Sequence, residues 1–93
     1  MFERLLRRFK ELVRTSQYVM TLHGTEEMEA DGLGIFDVEH CILTGKIRER
    51  QRDPRIGDWK YLVRGKTLDK ETAVVVARIG PAGKLVIITV YVE

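Results

Sequence analysis

The chain has 93 residues, 44% of them hydrophobic and 32% charged, with eight glycines, two prolines and one cysteine. This size suits one domain over residues 1–93, and the composition excludes a disordered tail, a collagen-like fibre and a disulfide scaffold. No apolar run nears the roughly 20 residues of a membrane span, and the N-terminus lacks the apolar core of a signal peptide. No membrane association is expected. Cys41 has no partner for an internal disulfide, so the expected location is the reducing cytoplasm. A core this small would also gain from a partner chain or a homodimer interface.

The net charge of +2 conceals strong segregation. Residues 1–16 sum to +3, residues 17–45 to −6, residues 46–70 to +5 and residues 71–93 to zero. A basic band beside an acidic one suits a nucleic acid and a basic protein partner, and equally two differently solvated faces.

Phe2, Leu5, Leu6, Phe9, Leu12 and Val13 recur at helical spacing, which predicts an amphipathic helix over 2–15 with arginines on its outer side. Gln17–Leu22 reads as a short strand or an extended lead-in. A helix is then expected to start with Thr25 as N-cap and end at Asp31-Gly32-Leu33-Gly34. Another runs from Asp37 to about Leu43, burying Val38, Cys41 and Ile42, with Gly45 at its C-terminus. From Lys46 the period becomes two. Alternation puts Lys46, Arg48, Arg50 and Arg52 on one side of a strand, followed by a turn over 53–58. Trp59–Lys66 presents Trp59, Tyr61 and Val63 on one face and Lys60, Leu62, Arg64 and Lys66 on the other. Thr72–Ile79 is β-branched, Gly80–Gly83 turns the chain, and Lys84–Val92 is expected to be the longest and most central strand. Helices followed by strands predict an α+β fold, with the helices packed on a four-stranded antiparallel sheet.

Metal and nucleotide motifs are missing. His40 and Cys41 are adjacent, so on a helix they diverge by about 100° and do not chelate one ion. Gly32-Leu33-Gly34 lacks the third glycine of a dinucleotide site, and Gly65-Lys66-Thr67 lacks the leading glycine of a phosphate loop. No cofactor and no metal are expected. Cys41 reads as a buried structural thiol. His23 lies where an extended segment meets a helix. It is either a proton-transfer group or a histidine that hydrogen-bonds to a loop. Arg48, Arg50, Arg52, Arg64, Lys66 and Arg78, with Trp59 and Tyr61 in the same segment, form a candidate phosphate-binding surface if their strands are neighbours, because guanidinium groups grip phosphates in pairs of bonds and aromatic rings stack unpaired bases. The alternative is a solvated face.

The pattern of His23, Met28, Leu33-Gly34-Ile35, Asp37-Val38 and Gly45-Lys46-Ile47, with the closing Ile88-Thr89-Val90-Tyr91, resembles a widespread family of short prokaryotic proteins of unknown function. Gly57–Gly65 resembles that family's middle strand, and the likeness spans about residues 18–92. The family is grouped by fold with barnase-like and RelE-like ribonuclease toxins. The resemblance therefore implies a metal-independent endoribonuclease of a toxin–antitoxin pair. RNA would be its substrate and a small zinc-finger antitoxin its partner. It makes His23 and Tyr91 the catalytic candidates, with Thr89 orienting RNA; Arg50, Tyr61, Arg64 and Arg78 complete the substrate surface. The alternative function is a non-catalytic module that binds RNA or protein through the same surface.

Overall fold

The stripe on the first helix determines how the layers form. In the computed structural model, which describes residues 1–55 and 57–93, α1 (Glu3–Arg14) buries Phe9, Leu12 and Val13 and leaves Arg4, Arg7, Arg8 and Arg14 exposed. The chain continues through β1 (Tyr18–Met20), α2 (Leu22–Ala30), α3 (Ile35–Thr44), β2 (Lys46–Asp53), β3 (Asp58–Lys66), β4 (Thr72–Ile79) and β5 (Leu85–Val92). Three helices on one sheet make the α+β class expected from the order of periods. The predicted turn over 53–58 includes Ile56, which lies outside the described residues.

The sheet departs from expectation. It has five strands in the order β1-β5-β4-β3-β2 and is mixed, because β1 pairs in parallel with β5 through Tyr18–Leu85 and Met20–Ile87. A strand of three residues carries too little alternation to be recognised as a sheet member. β4, not β5, is the middle strand, and β3 with nine residues is the longest. β5 still lies inside the sheet, between β4 and β1.

Helix α2 starts three residues before the expected cap. Thr21 is its N-cap, with Oγ1 accepting from the Gly24 N–H at 3.0 Å, whereas Thr25 Oγ1 donates to the Thr21 carbonyl inside the helix. Both threonines fit the capping rule, and the N–H of Thr21, bonded to the Ile87 carbonyl, ties the earlier one to the sheet. β1 and α2 together occupy the outer edge of β5. Thr21 Oγ1 donates to the Ile88 carbonyl, and Asp31 Oδ2 accepts from the Val92 N–H at the far end. That edge is covered rather than left open for another chain.

α1 and α3 cover one face of the sheet. Their buried residues meet Val63, Ala73, Val75, Ala77, Leu85, Ile87 and Val90 in one cluster. Gly45 and Gly65 let α3 approach β3 closely: a Cβ on Gly65 would lie 2.0 Å from the Cys41 carbonyl oxygen, and one on Gly45 2.6 Å from it.

Two β-bulges reset which residues face the helices. In β2, Ile47 pairs with Val63 and Glu49 with Leu62, so Arg48 is the extra residue. The single basic face expected for β2 is therefore split. Lys46 pairs with Arg64, while Arg50 and Arg52 pair with Tyr61 and Trp59 on the helical side. In β5, Ile87 pairs with Ala77 and Thr89 with Val76, which makes Ile88 the extra residue. Ahead of it Leu85 and Ile87 enter the core, and beyond it Val90 does.

Candidate functional site

Among the described residues, no helix lies across the second face of the sheet, and side chains alone furnish it. Lys46, Arg64, Val74 and Tyr91 form one row across four strands, and Glu49, Leu62, Val76 and Thr89 form the next. Val74 and Val76 are only 4% and 6% exposed without belonging to the core under the helices, so the longer side chains beside them close over them. The centre of the face is apolar and its ends are basic.

At one end lies a cleft of about 300 Å³ lined by Thr21, His23, Asp53, Arg55, Arg78, Val86 and Ile88. His23 stands in the first turn of α2, which is fixed to β5 by the Thr21 bonds and by Gly24, whose missing side chain lets the helix rest against the Ile87 and Ile88 carbonyls. Its Nε2 lies 2.7 Å from Glu27 Oε1, one helical turn on. With the ring neutral, Nε2 carries the hydrogen that the carboxylate accepts, leaving Nδ1 with a lone pair. Asp53 ends β2 with its carboxylate only 3% exposed. Arg55 donates to it at 3.3 Å, and the Lys60 ammonium lies at 3.7 Å. Hydrogen bonds from Arg55 hold the Asp53 carboxyl below its ordinary range. The cleft thus joins one imidazole, two guanidinium groups and the carboxylate paired with one of them above the apolar floor of Val86 and Ile88.

At the other end, Thr44, Lys46, Arg48, Arg64, Lys66 and Thr72 line a second cleft of about 280 Å³. Arg64 is ion-paired with Glu93, and Lys66 Nζ donates to Thr72 Oγ1 at 2.7 Å.

The structure brings His23 and Arg78 into one cleft. Thr89 lies on the same face in the row of Val76, and Arg64 and Tyr91 share the row beyond it. Tyr91 is three residues past Ile88, roughly 10 Å along the strand. Arg50 and Tyr61 are not part of this surface. Tyr61 is wedged edge-on between Phe2 and Phe9 at 5.9 and 6.0 Å, and Arg50 lies over the Trp59 ring. Asp53 and Arg55 fall in the stretch whose Pro, Gly and Asp content predicts a turn, where no alternation assigns a side chain to a face. The bulge at Arg48 is what aligns Asp53 with Glu49 and Gln51 on the open face.

The remaining titratable candidates have structural roles. His40 Nδ1 donates to the Lys66 carbonyl at 2.8 Å. Cys41 is buried, its Sγ donates to the Ala73 carbonyl, and burial pushes its thiol up to about 11. Burial, with a hydrogen bond to Glu39, pushes the Tyr18 phenol up to about 12. Among the described residues no three His, Cys, Asp or Glu side chains converge as metal ligands, and no helix is long and apolar enough to cross a membrane.

Fold and site thus define a small α+β protein with one helix-covered sheet face and one open face that is basic at both ends. Residues 20–92 match the family described as Domain of unknown function (DUF4258), and the chain belongs to it. The match excludes the whole of α1, and no curated protein or solved structure matches the chain.

Proposed function

We propose that the protein is a metal-independent endoribonuclease of RelE- and barnase-like kind, the toxin of a toxin–antitoxin pair, and that the open face is its RNA-binding surface. The observation that carries this reading is the meeting of His23, Arg55 and Arg78 in one cleft at the end of an apolar strip fringed with cations. RNA needs those three properties together: a group that moves a proton, fixed positive charge for a phosphate, and apolar surface against a base.

His23, with Nε2 turned to Glu27 and Nδ1 free to accept, takes the proton of a ribose 2′-hydroxyl. The 2′-oxygen attacks the adjacent phosphorus, and Arg78 and Arg55 stabilise the negative charge that builds on the phosphoryl oxygens. The bond to the 5′-oxygen breaks and that oxygen takes a proton from water, leaving a 2′,3′-cyclic phosphate and a 5′-hydroxyl. Thr89 and Tyr91 lie further along the same face and hold flanking nucleotides. An antitoxin would inhibit by covering this face.

The test is incubation of the purified protein with a long RNA in excess chelator, beside His23→Ala and Arg78→Gln. Fragments with cyclic phosphate ends from the parent, greatly reduced in both variants, are expected. One observation favours a second reading, a binding module without turnover. The cleft holds a single imidazole, and its other cations are guanidinium groups, which offer donors and no lone pair to take a proton. Salt-sensitive RNA binding with no fragments from the parent would establish that reading instead.

A further inference from the structure

We propose that Trp59, Arg50 and Arg52 form a second RNA contact, a stacking platform for an unpaired strand on the helical side of the sheet. The inference rests on the reading of RNA as ligand and is independent of cleavage. The bulge at Arg48 places both arginines on the side of Trp59, where their guanidinium carbons lie 4.1 and 4.5 Å from the ring centroid. The aromatic packing of α1 stops at Tyr61, and Trp59 lies outside the core and half-buried.

Arg50 and Arg52 are both exposed residues. Among the described residues Arg50 has no carboxylate within ion-pair distance, and the one hydrogen bond of Arg52 goes to the neutral Gly57 carbonyl at 3.3 Å. Stacking on the indole therefore orders two cations without neutralising them. Each retains N–H groups for a phosphate and a flat outer surface for a base. Arg4, Arg7 and Arg14 on the solvent side of α1 add positive charge to the same layer. An acidic peptide would match the charge and leave the flat surfaces unused, so an unpaired nucleic-acid strand is the better fit.

Trp59 is the only tryptophan, so its emission reports on the platform itself. The probe is a short single-stranded 2′-O-methyl oligoribonucleotide, which lacks the hydroxyl needed for cleavage. Its titration should change Trp59 emission in the parent and equally in His23→Ala. Arg50→Gln/Arg52→Gln should bind the labelled probe more weakly, with a salt slope shallower by about 1.4 for two lost phosphate contacts on a single strand. The parent's advantage should accordingly shrink about seven-fold between roughly 50 and 200 mM salt. An unchanged emission, a variant with the parent's affinity and slope, or an equal emission change with polyglutamate would each overturn the platform. If the parent binds the probe in this way but cuts no RNA, the platform stands and only the ribonuclease reading fails.

Discussion

Gly65→Ala tests the packing that holds α3 on the sheet. The added methyl would sit 2.0 Å from the Cys41 carbonyl oxygen and 2.9 Å from the Gly45 Cα, where no side-chain rotamer can yield. Backbone must move from backbone, either by lifting α3 or by bending β3. Overpacking of a well-filled interior costs about 1–3 kcal/mol, and a clash with main chain on two sides belongs at the upper end, about 3 kcal/mol. Against a total stability of about 5–15 kcal/mol this is a large fraction. In a domain of this size each kcal/mol lowers Tm by about 4–8 °C, so the variant should melt about 12–24 °C below the parent. Gly32→Ala provides the contrast. Gly32 has φ +70° and no neighbour within 4 Å, so the expected loss is only backbone strain of about 1–2 kcal/mol. Thermal unfolding followed by circular dichroism reads both. A Gly65→Ala variant melting within a few degrees of the parent, or above Gly32→Ala, would refute the close-approach argument.

Phe9 is fully buried against Tyr61 on the helix that lies wholly outside the family match, and Phe9→Ala should cost about 3–5 kcal/mol in urea unfolding, as for any large buried ring. Asp53 titrates lower in the folded chain than in the unfolded one, so its contribution to stability is present above pH 3.8 and disappears as pH falls through the folded value. Asp53→Asn should therefore flatten the acid limb of a stability–pH profile below about pH 4, where the parent's limb stays steep. Cys41, buried and with its thiol near 11, should resist iodoacetamide at neutral pH and react at once when urea unfolds the chain. Fast alkylation of the native protein would show that the α3–β3 contact opens.

What the sequence revealed depended on how far each periodicity ran undisturbed. The stripe of α1, the alternation of β3 and the β-branched run of β4 extend over many residues, and the structure keeps each within a residue of the predicted bounds. β2 and β5 each carry one extra residue, and an alternation argument that passes a bulge assigns the wrong face to everything beyond it. Alternation from Lys46 therefore sets Arg50 with the cations of the open face, whereas the bulge at Arg48 turns it to the helical side opposite Tyr61. Tyr61 was read as a base-stacking ring because its neighbours are basic. Its actual partners, Phe2 and Phe9, come from α1 and the residue before it, more than fifty residues earlier, which local pattern does not indicate. His23 was legible as a candidate, since the break it occupies is visible in sequence. Its company was not, because Arg55 and Arg78 reach it only through the order of the strands.

The extra residue at Ile88 has a consequence for how such a chain can change over time. With Ile88 removed, Thr89 would follow Ile87 directly, and plain alternation would keep Thr89 and Tyr91 on the open face and Val90 in the core. The loss of that one codon would thus erase the bulge and leave both halves of the strand on their faces. A deletion beyond Ile88 has no such escape, because it turns every residue after it to the opposite side, whereas substitutions alter the open face one side chain at a time. The end of this strand should therefore tolerate exchanges of residue type far better than changes of length.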